Sequence, residues 1–166
     1  GKYKGVVDGE GISVFPNIYH FVLPFMNDII KIEGKGNKFG LKKLSGEVIL
    51  ATKYDRIDSL SELVFAVTLE GKLGFMNLKG ETVIPFDYDA FDEEVAFYNG
   101  LACVNKSRDD GSYQFGYIDH SNMVVIPFQF SGAQTFKDKD YIENWITYPA
   151  GGDKSYTRDT YKLALD

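Results

Sequence analysis

The sequence predicts an all-β protein of four repeats, each about 35 residues long and each forming a β-hairpin followed by a third strand. The first observation is a glycine that recurs after 35, 34 and 42 residues, and we name these positions the origin glycines: Gly5, Gly40, Gly74 and Gly116. The second is a turn-forming residue six positions after each origin, here named the turn residues: Gly11, Gly46, Gly80 and Asn122. The third is an aromatic residue fourteen positions after each origin, here named the anchor aromatics: Tyr19, Tyr54, Tyr88 and Phe130. Aromatic residues make up 15% of the chain and glycines number 17, which favours strands joined by tight turns.

The third repeat shows the predicted hairpin most clearly. Its two short apolar segments, residues 72–76 and 82–85, flank the run Asn77-Leu78-Lys79-Gly80. This spacing is typical of a tight turn whose last residue is left-handed. Glycine has no Cβ to strain in that conformation, and asparagine is the next most tolerant residue. A hairpin turn is therefore predicted to end at each of the four turn residues.

Glycine and proline predict two further features of the hairpin. Each origin glycine stands inside a strand, where we expect it to allow the close approach of another backbone or of an aromatic ring. Pro16, Pro85 and Pro127 follow the second strand, and we expect them to end it because proline cannot donate a ladder hydrogen bond. The anchor aromatic is then expected to pack back onto its own hairpin.

A third strand completes each repeat, and we predict it at residues 29–32, 64–67, 101–104 and 141–148. The segments 55–63 and 92–98 are each expected to hold at most one helical turn. We place the repeats at about 3–36, 37–71, 72–112 and 113–148, with a C-terminal cap at 149–166, in one domain over 1–166. We expect the repeats to stack as an open solenoid, and the alternative is a small propeller-like closed ring.

Composition argues against several classes of function. The net charge is −6 and no basic cluster is longer than Lys42-Lys43, so we expect no nucleic-acid partner. No apolar run approaches the roughly 18 residues that span a bilayer, so we expect no membrane insertion. Cys103 is the only cysteine, which rules out an intrachain disulfide and a thiolate metal cluster. We therefore expect neither a metal nor another cofactor.

The repeat resembles the bacterial WG-like β-repeat family, also called KWG repeats. The resemblance is carried by the pattern Phe115-Gly116-Tyr117-Ile118-Asp119, by Val83-Ile84-Pro85-Phe86-Asp87-Tyr88 and by Asn99-Gly100-Leu101-Ala102-Cys103-Val104, and it covers roughly residues 3–148. The tryptophan for which the family is named is replaced by Lys4, Phe39, Leu73 and Phe115. The resemblance implies a bacterial, all-β, non-enzymatic repeat module, often on the cell envelope, and so slightly favours the envelope over the cytoplasm. It supplies no catalytic residues.

The reactive residue types are interpreted as structural. His20 and His120 are expected on the surface, since no metal-ligand spacing joins them. Cys103 lies in a strand of alternating pattern and is expected to be a small core or rim residue. The run Asp109-Asp110-Gly111 is expected to be a turn between strands.

The acidic cluster is the sharpest polar feature, and it comprises Asp87, Asp89, Asp92, Glu93 and Glu94. We interpret it as a solvated loop in which Asp89 repeats Asp55 as part of the scaffold. Its alternatives are a Ca²⁺ site, which needs six to eight oxygens, and a pair of hydrolytic carboxylates.

The C-terminal segment is the least repetitive part of the chain. A strand there would place Tyr141, Glu143 and Trp145 on one side, and Ile142, Ile146 and Tyr148 on the other. We name Tyr141, Glu143, Trp145 and Tyr148 as candidate ligand-binding residues, because exposed aromatics beside polar groups suit sugars and peptides. The alternative is that Trp145 caps the repeat stack. Residues 157–165 are expected to return as a last strand, either as a cap or paired with the first repeat.

Three functions follow from these observations. The preferred one is a non-catalytic scaffold or adaptor that binds a protein or peptide. The second is a carbohydrate-binding envelope module that uses Tyr141, Trp145 and Tyr148. The third is a hydrolase that uses Asp87, Asp89 and Asp92.

Overall fold

The computed structural model describes residues 3–132 and the backbone of two later strands. The strands are β1 (Lys4–Val7), β2 (Ser13–Tyr19), β3 (Phe21–Met26), β4 (Ile29–Glu33), β5 (Phe39–Lys43), β6 (Val48–Tyr54), β7 (Arg56–Ile57), β8 (Val64–Leu69), β9 (Lys72–Asn77), β10 (Thr82–Asp89), β11 (Phe97–Tyr98), β12 (Leu101–Ser107), β13 (Tyr113–Ile118), β14 (Val124–Phe130), β15 (Ile142–Ile146) and β16 (Thr157–Tyr161). A short 3₁₀ turn at Lys35–Asn37 is the one helical element in this part of the chain.

The all-β prediction is confirmed. The described strands form open antiparallel sheets, and they close no barrel. Neither 55–63 nor 92–98 holds a helical turn: these segments carry the two-residue strands β7 and β11, and Glu62 and Leu63 form a left-handed turn. Within 3–132 and the two later strands, no helix has the length and apolar character of a membrane span.

Each of the four predicted hairpins is present, and each turn ends in a left-handed residue. The φ angles of Gly11, Gly46, Gly80 and Asn122 are 81°, 96°, 80° and 63°. In the third repeat the turn closes with a hydrogen bond of 3.0 Å from the Gly80 amide to the Asn77 carbonyl oxygen. The Asn77 side chain also accepts bonds from the amides of Lys79 and Glu81. A repeated backbone requirement therefore explains the residue found at this position in all four copies.

Each origin glycine lies opposite a β-bulge in the second strand of its hairpin. In the third repeat Leu73 pairs with Tyr88 and Phe75 pairs with Ile84, so one residue of β9 faces three of β10. A Cβ built on Gly74 would lie 2.8 Å from the Ile84 carbonyl oxygen, closer than real Cβ contacts come. The same crowding recurs at Gly40 and Gly116, at 2.7 and 2.8 Å from the backbone oxygens of Leu50 and Ile126. The close approach expected from the sequence is confirmed.

The prolines occupy these bulges, which corrects the expectation that they end the strand. Pro16, Pro85 and Pro127 lie inside β2, β10 and β14, and each strand continues for three or four residues beyond. Proline is tolerated there because the ladder is interrupted at a bulge and the missing N–H costs no bond.

The third strand of one repeat pairs with the first strand of the next, so each sheet crosses a repeat boundary. Ile32 of β4 lies opposite Gly40, Val67 of β8 opposite Gly74, and Val104 of β12 opposite Gly116, and the three origin glycines occupy equivalent places. β3–β6 form one four-stranded sheet. β7–β10 and β11–β14 repeat that order and are joined by a single pairing of Asp89 with Asn105.

The sheets pack face to face, and the third strands are buried on both faces. On β8, Val64 and Ala66 belong to the core shared with the following sheet, where β12 contributes Ala102 and Val104. Phe65 and Val67 belong to the core shared with the preceding sheet. The third strands therefore do not alternate between core and solvent, as had been expected for the strand of Cys103. Their continuous apolar runs are typical of strands covered on both sides.

The anchor aromatics join neighbouring repeats, whereas they had been expected to pack on their own hairpin alone. The ring of Tyr54 stacks on Phe86 of the next repeat at 6.4 Å, and Tyr88 stacks on Phe128 at 6.1 Å. The Tyr88 hydroxyl also donates a bond of 2.7 Å to Asn122 Oδ1, which lies in the turn of the following repeat. The rings of Tyr54 and Tyr88 therefore each form an aromatic contact between one sheet and the next.

Candidate functional site

An apolar cleft of about 430 Å³ lies between the first hairpin and the sheet β3–β6. We name it the N-terminal cleft. Its walls come from β1, β3 and the start of β4, with Val6, Val22, Pro24, Ile30 and Leu44 among the lining residues. Lys4 and Asn27 add polar groups at its edge. An apolar cleft with a few polar groups is the usual form of a ligand site.

The rim of the N-terminal cleft keeps large apolar side chains in solvent. Val7 is 63% exposed and Leu44 is 41% exposed, and both line the cleft. Phe21 and Leu23 of the adjoining strand β3 are also exposed. Phe21 and Leu23 alternate along β3 with the cleft-lining Val22 and Pro24, so they belong to the opposite face of that strand.

The cleft lies beside a sheet of two described strands, whereas β3–β6 form a sheet of four. Among the described strands β1 pairs with β2 alone, whereas β5, β9 and β13 each pair on both edges. Sequence analysis missed this site because no residue in it is unusual by type.

The candidate residues at the C-terminal end fall outside the part of the chain whose side chains are described. Tyr141 and Tyr148 lie outside the described residues, and for Glu143 and Trp145 only the backbone is described. These two stand on β15, opposite Thr160 and Arg158 of β16. The expected last strand is therefore present, and it pairs with β15 and not with the first repeat.

Asp89 of the acidic cluster is held within the scaffold. Its carboxylate forms an ion pair with Lys72 and accepts a bond of 2.6 Å from the Ser107 amide. Burial alone would raise the pKa of Asp89, but the bonds from Lys72 and Ser107 outweigh burial and hold that pKa below its ordinary value. The pair of Lys38 with Asp55 occupies the equivalent place one repeat earlier, which confirms that Asp89 repeats Asp55. An ionised, paired carboxylate of this kind is poorly suited to act as a general acid.

The rest of the acidic cluster does not converge on one point. Asp87, Asp92 and Glu93 are exposed, and Glu94 accepts a bond of 3.1 Å from the Ser59 amide. Within residues 3–132 and the two later strands, no three His, Cys, Asp or Glu side chains are grouped so as to hold a metal ion.

A buried ion pair fastens the loop between β10 and β11 to the preceding repeat. Arg56 Nε lies 2.9 Å from Asp58 Oδ1, and the Arg56 guanidinium donates to the carbonyl oxygens of Phe91 and Glu93 at 2.6 and 2.9 Å. Asp58 Oδ2 accepts a bond of 3.0 Å from the Val95 amide. Burial raises the pKa of Asp58, and the Val95 amide and Arg56 oppose that rise.

We expect Arg56→Met to lower the free energy of unfolding by about 2 kcal/mol at pH 7, because it leaves a buried carboxylate without its cation. The loss is smaller than for a fully buried pair, since the Arg56 side chain is 28% exposed. The folded-state pKa of Asp58 already lies above its ordinary value and rises further without Arg56. The loss of unfolding free energy in Arg56→Met is therefore smaller below pH 4, where the lost bonds to Phe91 and Glu93 remain its main cause, and it grows as the pH rises above the folded-state pKa of Asp58.

Urea unfolding of Arg56→Met at pH 4 and pH 7 measures this difference. The control is the double variant Arg56→Met/Asp58→Asn, in which the pH dependence of the deficit should disappear. An equal deficit of Arg56→Met at both pH values would contradict the role assigned to the buried Asp58 carboxylate.

The two histidines both stack on aromatic rings. His20 lies beside Tyr3 with ring centroids 5.5 Å apart, at the surface as expected. His120 lies in the hairpin turn with a side chain that is 39% exposed, as expected, but its ring also stacks on Phe97 at 4.0 Å. Its Nε2 lies 2.9 Å from Glu62 Oε2, a contact between residues 58 positions apart that no local pattern could indicate.

Ser61 is next to Glu62 in the chain, but its hydroxyl does not bond to His120 or Glu62. The Ser61 hydroxyl donates a bond of 2.5 Å to the Phe97 carbonyl oxygen. The Glu62 carboxylate accepts from the Gly100 amide as well as from His120. This geometry serves to join β11 to the preceding repeat, and it lacks the bond from a serine hydroxyl to a histidine that activates a nucleophile.

Cys103 and the Asp109-Asp110-Gly111 turn have the structural roles expected of them. Burial raises the pKa of the Cys103 thiol to about 12, so the thiol is protonated and unreactive at neutral pH. Gly111 is left-handed with φ 79°, and Asp110 accepts a bond from the Ser112 amide.

Comparison with known protein families identifies the repeat. The family model described as "WG containing repeat" matches residues 74–107 and 115–143. The resemblance inferred from the sequence is therefore confirmed for these two stretches, which lie in the third and fourth repeats. Comparison with curated proteins and with solved structures gives no match.

Proposed function

We propose that this WG-repeat chain is a non-catalytic scaffold that binds an apolar segment of a partner protein in the N-terminal cleft. The observation that carries the proposal is a cleft of about 430 Å³ with apolar walls and exposed apolar residues at its rim. The exclusion of water from such surface supplies a favourable free energy of about 25 cal/mol per Å² of apolar area buried.

The state of the reactive side chains supports a binding function over a catalytic one. Asp89 is paired with Lys72, Cys103 is buried and protonated, and the Ser61 hydroxyl is bonded to a backbone carbonyl. The family match also favours a repeat module without catalysis. The contact of Glu62 with His120 joins residues of different repeats.

Selection of random displayed peptides on the immobilised 166-residue chain tests the proposal. We expect enrichment of peptides rich in apolar residues, and Val22→Asp should weaken their binding by at least about tenfold because it places a carboxylate in the apolar cleft. Val125→Asp is the matched control, since Val125 is an exposed β-branched residue of β14 outside the cleft. Thermal unfolding of both variants verifies that they are folded.

Two results would count against the proposal. One is the absence of any enriched peptide, and the other is equal binding by Val22→Asp and Val125→Asp.

A glycan array tests the alternative that the chain binds carbohydrate. Hits that are lost in Trp145→Ala would support sugar binding through the C-terminal segment.

A further inference from the structure

The turn between β11 and β12 consists of Asn99 and Gly100 alone, because Tyr98 pairs with Leu101. Both turn residues are left-handed, with φ angles of 51° and 78°. Asparagine followed by glycine is among the dipeptides that suit a two-residue turn of this form best. It occurs at this one place in the 166-residue sequence, and Asn99 is exposed there.

The same dipeptide is prone to deamidation, because glycine has no Cβ to keep its nitrogen away from the asparagine side chain. The Gly100 nitrogen gives up its proton and attacks Asn99 Cγ. The new N–C bond forms as the bond from Cγ to Nδ2 breaks, and the released proton leaves with Nδ2 as ammonia. Water then breaks one C–N bond of the cyclic imide, with its hydroxyl going to the carbon and its hydrogen to the nitrogen. The product is aspartate or isoaspartate, and either one adds a carboxylate.

The folded chain opposes this reaction at the attacking nitrogen. The Gly100 amide donates to the Glu62 carboxylate, with its nitrogen 3.3 and 3.1 Å from the two oxygens. The attacking form of that nitrogen carries a negative charge, so a neighbouring carboxylate disfavours it. In the left-handed region the following nitrogen also lies on the far side of the Cα–C bond from the side chain. Asn99 must therefore leave its turn conformation before Cγ can reach the nitrogen.

A contact from the fourth repeat fixes the Glu62 carboxylate. His120 Nε2 lies 2.9 Å from Glu62 Oε2, and the His120 ring stacks on Phe97 with centroids 4.0 Å apart. Glu62 belongs to the second repeat and Gly100 to the third. The amide of Gly100 is thus bound only while three repeats are packed together.

We propose that Asn99 is a deamidation site and that the bond between Glu62 and Gly100 protects it in the folded chain. This inference goes beyond the proposed function, since it concerns the packing of the repeats and requires no partner. Separation of the repeats releases the Gly100 amide and allows the reaction. The new carboxylate lies one residue from the amide that Glu62 binds, so like-charge repulsion opposes the return of Glu62. Deamidation at Asn99 therefore increases with the time for which this junction is open.

The test is incubation of the 166-residue chain at mildly alkaline pH, followed by mass spectrometry of the proteolytic fragment that contains Asn99. We expect deamidation in the folded chain to be at least about tenfold slower than in urea, where the contact with Glu62 is lost. Glu62→Ala should raise the rate in the folded state by at least about tenfold, the factor typical of one hydrogen bond to a charged group. In urea the variant and the unsubstituted chain should react at the same rate.

Glu81→Ala is the matched control, because Glu81 is another exposed glutamate in a turn. Its carboxylate accepts a bond of 2.7 Å from the Asn77 side chain of its own turn. This substitution should leave the rate at Asn99 within about twofold. Thermal unfolding verifies that the variants are folded. Should Glu62→Ala not fold, Glu62→Gln removes the charge at nearly the same side-chain size, and the rate should rise by at least about threefold.

Three results would overturn the inference. They are equal rates in the folded chain and in urea, an unchanged rate in the folded Glu62 variants, or an equal rise in Glu62→Ala and Glu81→Ala. None of these results bears on peptide binding in the N-terminal cleft, so the inference and the proposed function fail separately.

Discussion

Tyr88→Ala is expected to lower the free energy of unfolding by about 4 kcal/mol, the largest single effect that the structure predicts. The Tyr88 ring is buried between two sheets, stacks on Phe128 and lies 5.2 Å from the Lys106 ammonium. Truncation leaves a cavity at a boundary between repeats and also leaves Asn122 Oδ1 without its donor. Denaturant unfolding followed by circular dichroism measures the loss.

Two further substitutions separate the contributions of the Tyr88 ring and hydroxyl. Tyr88→Phe keeps the ring, so it should cost only about 1 kcal/mol, the typical net value of one hydrogen bond. Tyr113→Ala is the matched surface control, since Tyr113 is 52% exposed, and it should change stability by no more than about 0.5 kcal/mol. A loss of less than about 1 kcal/mol in Tyr88→Ala would contradict the role of the anchor aromatics as connections between repeats.

Gly74→Ala is expected to lower the free energy of unfolding by about 3 kcal/mol although it adds one methyl group. That methyl group would lie 2.8 Å from the Ile84 carbonyl oxygen and 3.1 Å from the Phe86 amide nitrogen. Both are backbone atoms of the bulge, so relief of the contact requires the two strands to separate.

Gly9→Ala is the matched control for Gly74→Ala. A Cβ on Gly9 meets nothing within 4 Å, so this substitution should change stability by no more than about 0.5 kcal/mol. Comparable losses in the two variants would show that flexibility of the unfolded chain, and not the close approach of two strands, explains the origin glycines.

The features that the sequence predicted well are those whose cause is local. The left-handed turn at Gly80 depends on backbone conformation alone, and the crowding at Gly74 involves a strand only ten residues further along. Such constraints leave glycine at the origin position of every repeat, and glycine or asparagine at the turn position. The scaffold role of Asp89 was inferred for the same reason, since Asp55 repeats it, whereas its partner Lys72 was not predicted.

The features that the sequence did not predict depend on contacts between repeats. The stacking of Tyr88 on Phe128 joins residues 40 positions apart, and the contact of Glu62 with His120 joins residues 58 apart. Spacing within one repeat carries no information on which neighbour an aromatic ring meets. The continuous apolar runs of the third strands were a usable signal, because burial on both faces implies a sheet on each side.

The N-terminal cleft is also a feature that the sequence did not predict. Its residues are ordinary valines, isoleucines and leucines, and no motif distinguishes them. The cleft follows from the pairing of each third strand with the next hairpin, which becomes evident only when the sheets are compared. The candidate residues Tyr141, Glu143, Trp145 and Tyr148 remain a prediction from residue type alone.

Backbone nuclear Overhauser effects across the strands test the central claim most directly, namely that each sheet joins the third strand of one repeat to the hairpin of the next. The account predicts contacts of Gly40 with Ile32, of Gly74 with Val67, and of Gly116 with Val104. Contacts of these glycines with the third strand of their own repeat, or contacts that differ in register from one repeat to the next, would contradict it.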